Sequence, residues 1–231
     1  MNHGVDHILD NPAWWALHGA QSAFAETRGV AARYVPAISP IGAVREPTAE
    51  AFEALAALCG PDPVAVISTE AELPLRARLR TIRRVGLHQM VCETAAAPVP
   101  LDAIRLGNAD VAEVLALVVL TEPGPFAKRT IELGNYLGIR SAGRLLAMAG
   151  ERLKPPGWTE VSGVCTHPDG RGMGYALGLV TAVTNAIIAK GEGAFLHVAI
   201  GSPSQLSATR VYERAGYRIR RELHLHVLVS V

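Results

Sequence analysis

The sequence predicts an α/β protein, and three observations carry that prediction. In residues 101–231, short apolar runs typical of strands alternate with segments whose apolar residues repeat at helical spacing. Residues 161–176 run from an apolar strand through a proline into a glycine-rich turn that opens a helix. Of the 231 residues, 49% are hydrophobic, which suffices for a packed core. We therefore expect a sheet covered by helices that folds without a partner.

Charge and cysteine content exclude several classes of protein. The formal net charge is +1, from 22 basic and 21 acidic residues, so no global field attracts nucleic acid or an anionic membrane. The three cysteines form an odd set without metal-ligand spacing, which suits reduced thiols. The N-terminus has no basic segment followed by an apolar core, and the apolar run at 114–120 is too short to span a bilayer. We expect a cytoplasmic protein with no nucleic-acid or membrane partner.

A linker divides the chain. Residues 95–100 contain two prolines and three alanines between stretches of different patterning, so we expect an N-terminal α/β domain over 1–97 and a second domain over 98–231. In the first domain Asn11 and Thr48 are expected to cap helices, and strands are expected at 32–35, 64–68 and 85–93. Its expected role is packing and contact between copies, with shaping of an acceptor pocket as the alternative.

The sequence of the second domain predicts a definite order of helices and strands. Asn108 is expected to cap an amphipathic helix, and the tetrapeptide 202–205 has the pattern of a capping box that opens another. The predicted strands lie at 101–105, 136–140, 145–152, 158–166 and 194–199, with final strands in 217–231. One helix is predicted to start at 108, and two others to span 126–133 and 173–190. The last helix is predicted to open at the 202–205 tetrapeptide and to end at 215–216.

The sequence of the glycine-rich turn predicts an anion-binding site. Arg171, Gly172 and Gly174 leave room for backbone N–H groups to close on phosphate oxygens, where the dipole of the following helix adds positive charge. A dinucleotide fingerprint fails in both registers because it would need a small residue at Leu177 or a glycine at Tyr175, and no Walker lysine follows. These residues indicate a pyrophosphate-bearing ligand other than a dinucleotide or nucleoside triphosphate.

Two motifs resemble those of one superfamily. The order Arg171-x-x-Gly174-x-Ala176, preceded by Thr166-x-Pro168, resembles the acyl-CoA signature of GNAT N-acyltransferases. The stretch 208–217, Ala-x-x-Val-Tyr-Glu-Arg-Ala-Gly-Tyr, resembles that superfamily's Ala-x-x-Leu-Tyr-Glu-x-x-Gly-Phe. The resemblance covers residues 101–231 and is assigned to the FR47-like, glycine N-acyltransferase-like branch, where residues 1–97 would be a degenerate copy of the same unit. It implies the GNAT fold, with a central mixed sheet split at a bulge.

The resemblance also implies a set of acetyl-CoA contacts. In this superfamily the central strand binds the pantetheine arm through its backbone, beside a bulge that Gly163 would mark. The family's usual asparagine before the tyrosine is replaced here, so Gln205 or Ser202 would take over its contact. The implied cofactor-binding residues are Val164, Cys165, Thr166, Arg171, Gly172, Met173, Gly174, Tyr175, Ala176 and Gln205.

Glu160 is the first candidate for the catalytic base. It lies on the strand where several GNAT enzymes carry a glutamate, and we expect burial in an apolar strand to raise its pKa toward neutrality. His197, on the neighbouring predicted strand, is the competitor; the alternatives are a solvated Glu160 at a strand edge and a histidine that is only a core residue. The sequence does not decide between the two bases.

Tyr212 is the candidate acid. It occupies the position of the tyrosine that commonly protonates the departing CoA thiolate in this superfamily, although core packing would also explain it. Cys165 has no evident cationic partner, so we expect direct transfer rather than an acyl-cysteine. His224 and His226 share a strand face but lack a third ligand, so no metal is expected.

The expected function is therefore transfer of acetyl from acetyl-CoA to a primary amine of a small molecule or peptide. Two alternatives stay open: a non-catalytic acyl-CoA-binding sensor, and an amino-acid N-acyltransferase of the glycine type with a longer acyl donor. An acceptor pocket lined by Arg129 or Arg140 would favour a carboxylated acceptor. A homodimer is the remaining partner considered.

Overall fold

The computed structural model describes residues 7–76 and 78–231. Within this part of the chain five α-helices and eleven strands form, and short 3-10 helices precede or link them. The helices are α1 Pro12–Leu17, α2 Ala49–Cys59, α3 Val111–Thr121, α4 Tyr175–Ile188 and α5 Gln205–Arg214. The strands are β1 Ala25–Arg28, β2 Ala31–Tyr34, β3 Ile41–Val44, β4 Val64–Ser68, β5 Leu79–Cys92, β6 Ile104–Leu106, β7 Tyr136–Ser141, β8 Arg144–Glu151, β9 Trp158–Thr166, β10 Gly193–Ala199 and β11 Arg218–Ser230.

All eleven strands belong to one mixed sheet, in the order β1-β2-β3-β4-β11-β5-β10-β9-β8-β7-β6. Strand β5, which precedes the predicted linker, lies between β10 and β11 and runs antiparallel to both. Residues 93–103 between β5 and β6 form neither helix nor strand, as a linker would. The two predicted segments thus share a sheet, and one strand of the first is enclosed by two strands of the second.

Several predicted elements are confirmed at their ends. Strands β4 and β9 span the predicted residues 64–68 and 158–166. The side chain of Thr48 accepts a hydrogen bond from the backbone N–H of Ala51 and so caps α2, which ends at Gly60 with φ 58°. The turn between β7 and β8 uses Ala142 and Gly143, both with positive φ, as a two-residue hairpin requires.

Other expectations about local structure are wrong. The predicted capping box does not form: α5 begins at Gln205, and the Gln205 side chain instead accepts a hydrogen bond from the backbone N–H of Gly201 at 2.6 Å. The short helix predicted over 126–133 is a 3-10 turn over Thr130–Leu133, and the predicted final strands are the single strand β11. Asn11 precedes α1, but its side chain donates to the carbonyl of Val44 rather than capping the helix.

The sheet parts in its middle. Strands β9 and β10 pair in parallel from Gly193↔Trp158 to Phe195↔Glu160, and no later pair is found among the described residues although both strands continue. On its other side β9 shifts register against β8 by one residue, and Gly163 stands in this bulge with φ 63°. The expected split at a bulge is confirmed, because an extra residue in β9 bends it away from β10.

The two faces of the sheet pack against different elements. Helices α4 and α5 cover one face, where Val161, Leu196 and Tyr212 share a buried cluster. On the opposite face α3 packs against Tyr136 and Cys165. That face continues under α1. The gap between β9 and β10 therefore connects two faces with different surroundings.

Candidate active site

The gap between β9 and β10 offers backbone groups. The N–H of Glu160 donates to Leu153 and the N–H of His167 donates to Leu146, so these groups face β8 and the residues leading out of it. The extra residue at the bulge changes this alternation between Glu160 and His167, so, counting back from His167, the backbone groups of Thr166 and Val164 face β10 instead. Both residues are half-buried, and β10 does not pair with them. These unpaired backbone groups could form hydrogen bonds with an extended ligand that carries amide groups.

The glycine turn opens one end of this gap. Gly172 and Gly174 have φ 78° and 77°, and a Cβ atom at either would meet nothing within 4 Å. Within the described ranges, no carbonyl or side chain accepts a hydrogen bond from the N–H groups of residues 172–177. Arg171, Met173 and Gly174 are exposed beside them. These N–H groups at the start of α4 are free to bind an anion, and the helix dipole would favour one there.

A cavity of about 280 Å³ adjoins the turn. Its lining includes Met173, Gly174 and Tyr175 at the start of α4, Leu101 from the segment before β6, and Arg140 at the end of β7. Arg140 forms ion pairs with Asp110, at 2.6 Å, and with Glu113. Arg129 is likewise paired with Glu132, at 2.7 Å. Both arginines considered as carboxylate partners of an acceptor thus already have acidic partners, and Arg140 lies beside the turn.

Glu160 is held as an ion inside the protein. Its side chain is fully buried and accepts hydrogen bonds from Nε and an η nitrogen of Arg152, each at 2.8 Å. A bidentate guanidinium stabilises the carboxylate more than burial penalises it. The net effect of burial, Arg152 and His197 lowers the pKa of Glu160 to about 2. Our expectation that burial would raise this pKa is wrong, because the sequence does not show that Arg152 lies opposite Glu160.

His197 completes this cluster. Its Nδ1 lies 2.8 Å from Oε1 of Glu160, and its Nε2 lies 3.2 Å from Nε2 of Gln89. The Gln89 side-chain oxygen accepts from Arg220 at 2.7 Å, which assigns the amide nitrogen to the His197 side. Gln89 is therefore the donor and Nε2 of His197 the acceptor, so Nδ1 carries the proton that is donated to Glu160. The arrangement fixes the tautomer, with the proton on Nδ1 and the lone pair of Nε2 accepting from Gln89.

Sequence reasoning missed two members of the cluster. Gln89 lies on β5, before the predicted linker, and is fully buried. Arg152 follows β8, and sequence alone gives no sign that it pairs across to β9. The only indication in the sequence is a polar residue within an apolar predicted strand. Gln89, within residues 85–92, is such a residue. Asp10 extends the chain of contacts, accepting from Arg220 at 2.7 Å.

Tyr212 lies on the α4 and α5 face. Its side chain is 8% exposed, and its ring packs edge-on against Tyr217 with centroids 6.2 Å apart. Burial raises the pKa of Tyr212 to about 12, so the hydroxyl stays protonated at neutral pH. Tyr212 shares its buried cluster with Val161 of β9 and Leu196 of β10, the two strands that part.

The remaining candidate residues are buried or hydrogen-bonded within the chain. Burial raises the pKa of Cys165 to about 11, so its thiol is not ionised at neutral pH. Ser202 donates to the carbonyl of Ala199 and Gln205 accepts from Gly201, so both stabilise the loop that joins β10 to α5. His226 contacts the carbonyl of Glu70, and no group of three histidine, cysteine or acidic residues in the described ranges could hold a metal. No helix of the described chain is both long and apolar enough to cross a membrane.

The fold defines a class of protein: a mixed α/β fold whose central sheet parts beside a glycine turn with open backbone N–H groups, as in acyltransferases. The family model described as FR47-like protein matches residues 136–225. The structure is similar to that of a GNAT-family protein from Novosphingobium aromaticivorans, described as an acetyltransferase, with 37% identity over 98% of this chain and 100% of that one and a TM-score of 0.89. The chain belongs to the GNAT superfamily.

More distant structures share the fold. A GCN5-related N-acetyltransferase from Kribbella flavida matches with a TM-score of 0.60 and 17% identity, over 88% of each chain. A GCN5-related N-acetyltransferase-like protein from Streptococcus suis matches with a TM-score of 0.54 and 13% identity, over 88% of this chain and 85% of that one. Comparison with curated proteins gave no match.

Proposed function

We propose that the protein transfers a short acyl group, acetyl in the simplest case, from acyl-CoA to a primary amine by direct attack. The observation that carries this proposal is the parting of β9 from β10 beside a turn whose N–H groups have no partner in the described chain. The turn suits the pyrophosphate, and the unpaired backbone of Val164 and Thr166 suits the amides of the pantetheine arm. The exposed Arg171 adds positive charge at the same end.

The chemistry of the step follows from these positions. The amine nitrogen forms a bond to the thioester carbonyl carbon, and the carbon–sulfur bond then breaks to give an amide and free CoA. The amine loses one proton and the departing sulfur gains one, so no oxidant or further reactant is needed. Holding both reactants in the gap supplies most of the acceleration. Side chains near the gap are available for both proton transfers.

We assign the proton from the amine to Nε2 of His197, and Glu160 to the support of His197. Each oxygen of Glu160 already accepts a hydrogen bond from Arg152, and a carboxylate with a pKa of about 2 is a weak base. Nε2 of His197 is the basic lone pair of the cluster. In the resting protein this lone pair accepts a hydrogen bond from Gln89 at 3.2 Å, and Nε2 gives up that bond when it takes the proton of the amine.

We assign the proton that reaches the sulfur to Tyr212. Its hydroxyl is protonated at neutral pH and lies on the face of the sheet covered by α4, whose first turn is the anion site. The short acyl group is favoured because Tyr136, Met148 and Phe126 fill the space beside the bulge at Gly163. This packing argues against the longer acyl donor of the glycine-type alternative.

The N-terminal segment is proposed to shape the acceptor side rather than to act alone. The carbonyl of Ala37 accepts from the N–H of Arg129 at 2.9 Å, and that of Ile38 accepts from the hydroxyl of Thr130 at 2.6 Å. These bonds join the N-terminal segment to the loop before β7, on the face where His197 lies. An acceptor would therefore contact both segments.

Release of CoA thiol, measured with acetyl-CoA against amino acids, polyamines, peptides and aminoglycosides, tests the function. Turnover with one class of amine supports the proposal and names the acceptor. Tight binding of acetyl-CoA with no turnover against any of these amines would favour the acyl-CoA sensor instead. Absence of acetyl-CoA binding to the protein would contradict both. A parallel series of propionyl-, butyryl- and benzoyl-CoA tests the short acyl group, since rates should fall with chain size.

A further inference from the structure

The hydroxyl of Tyr136 is buried without a partner. Tyr136 is 1% exposed, and among the described residues only its hydroxyl and that of Ser230 are enclosed side-chain groups with no hydrogen bond. A buried hydroxyl without a partner destabilises a fold, whereas phenylalanine at the same place would not carry that penalty. By contrast Tyr34 donates to Gln21 at 2.6 Å, and Tyr217 shares a 2.7 Å bond with Thr184. The hydroxyl of Tyr136 is therefore available to form a hydrogen bond with a bound ligand.

Two glycines make room for the ring. Tyr136 on β7 is the register partner of Gly150 on β8, and a Cβ atom at Gly150 would overlap the ring. Gly150 has no positive φ, so space for the ring is what requires glycine there. Further along, a Cβ atom at Gly163 would lie 3.2 Å from Cε1 of Tyr136. The ring thus crosses β8 and brings its hydroxyl end to the bulge of β9.

Tyr136 and Tyr212 lie on opposite faces of the sheet. Tyr136 packs with Cys165 on the α3 face, and Tyr212 packs with the α4 and α5 face. Burial raises the pKa of Tyr136, so its hydroxyl is a donor at neutral pH. The two tyrosines thus pack against β9 from opposite faces, through Cys165 and Val161.

We propose that the hydroxyl of Tyr136 donates a hydrogen bond to the carbonyl oxygen of the acyl group, and to the oxyanion that forms when the amine attacks. This inference rests on the proposed function, in which the acyl group enters the gap beside Gly163. The proton stays on Tyr136 throughout, so the bond changes only in strength. Phe126 packs edge-on against Tyr136 with centroids 5.5 Å apart, and a small displacement of this half-buried ring would open the hydroxyl to a short acyl group.

Two unreactive analogues test the contact without an acceptor. One is the ketone analogue of acetyl-CoA, in which a methylene replaces the thioester sulfur and the carbonyl is kept. The other is S-ethyl-CoA, in which a methylene replaces the carbonyl. We expect Tyr136→Phe to bind S-ethyl-CoA as tightly as the wild type does. Its ketone preference, the affinity for the ketone relative to that for S-ethyl-CoA, should be lower by roughly 2- to 10-fold, as for loss of one hydrogen bond. With a working acceptor, kcat should fall about 100-fold, as for loss of one oxyanion donor.

Tyr217→Phe is the matched control, because it removes a buried hydroxyl that has a partner. It should lower the melting temperature by roughly 2–4 °C and leave the ketone preference unchanged. Tyr136→Phe should melt at the wild-type temperature or above it. A ketone preference in Tyr136→Phe equal to that of the wild type would overturn the inference. Failure of the wild type to bind either analogue would instead contradict the proposed function.

Discussion

Nδ1 of His197 donates a hydrogen bond to Oε1 of Glu160 over 2.8 Å, and this bond decides how the two candidate bases are related. Sequence treats them as competitors. The structure couples them, since Glu160 is an ion locked to Arg152 and His197 is the group whose second nitrogen keeps a lone pair. A carboxylate that orients a neutral imidazole works through it, as in other paired acid–histidine sites. The base is then a property of the cluster, which includes a strand from the N-terminal segment.

Gln89→Leu should loosen the orientation of His197 and lower kcat. Gln89 donates to Nε2 of His197 at 3.2 Å, and with Glu160 at Nδ1 it fixes the ring through both nitrogens. The variant keeps the contact to Glu160 and loses the other, so kcat should fall about 10-fold, as for loss of one positioning hydrogen bond. Rates of acyl transfer in both proteins, at a temperature where both are folded, measure the loss.

Gln21→Leu is the control for this loss. Gln21 is 2% exposed and bonds to the carbonyl of Arg152 and the hydroxyl of Tyr34, without contact to His197. It should destabilise the fold and leave kcat in place. Equal losses of kcat in both variants would show that Gln89 acts only through stability. Nitrogen chemical shifts of His197 report the tautomer directly, with Nδ1 protonated in the wild type.

Glu160→Gln should lower the free energy of unfolding by about 3–5 kcal/mol. It leaves the Arg152 guanidinium, whose side chain is 11% exposed, without a charged partner inside the protein. The double variant Arg152→Leu, Glu160→Leu should recover much of that loss, because neither charge remains buried. Urea denaturation measures both. A single variant as stable as the wild type would mean that the pair is not buried in solution.

Acid should destabilise the protein between about pH 4.5 and pH 2. The ion pairs of Glu160 with Arg152, and of Glu151 with Lys154 and Lys190, each help lower a pKa from 4.5 to about 2 despite burial. A group whose pKa is lower in the folded state stabilises the fold above its unfolded pKa, and this stability is lost as pH falls. Urea midpoints at pH 6, 4 and 3 should fall steadily. An unchanged midpoint at pH 3 would contradict the low pKa of both carboxyls.

Gly174→Asp should abolish stabilisation by acetyl-CoA. A ligand at a hundredfold excess over its Kd stabilises the folded state by about 2.7 kcal/mol, and a carboxylate at the anion site repels the pyrophosphate. Gly191→Asp is the control, since Gly191 follows α4 with φ 79° and the same open surroundings as Gly174 with φ 77°. Both changes strain the backbone alike, so thermal shifts with acetyl-CoA isolate the charge. Loss of the shift in both variants would remove the turn as the phosphate site.

Tyr212→Phe should lower kcat most for acyl donors with basic leaving thiols. The change keeps the packed ring and removes the hydroxyl that we assign as the acid. Donors whose thiols have a lower pKa need less proton assistance, so the deficit of the variant should shrink with them. Rates across a series of acyl pantetheine analogues measure this dependence. A deficit that is constant across leaving groups, or early melting of the variant, would make Tyr212 structural.

The sequence alone determined what depends on neighbouring residues along the chain. Gly172, Gly174 and the proline before them specify a turn and a helix start whatever lies around them, because positive φ and open N–H groups are local properties. The strand at 158–166 and its bulge at Gly163 followed from the same local rules. The GNAT fold could be inferred from these motifs and their order.

Only the tertiary structure decided what depends on contacts between distant strands. Arg152 meets Glu160 across a sheet, Gln89 meets His197 across 108 positions of the chain, and Tyr136 reaches Gly163 over Gly150. From the sequence, a lone glutamate in an apolar strand is expected to have a raised pKa. The pKa of Glu160 is lowered instead, because folding brings the guanidinium of Arg152 opposite its carboxylate. The chemistry of a buried charge is set by its partners, and strand order, which no local pattern encodes, chooses them.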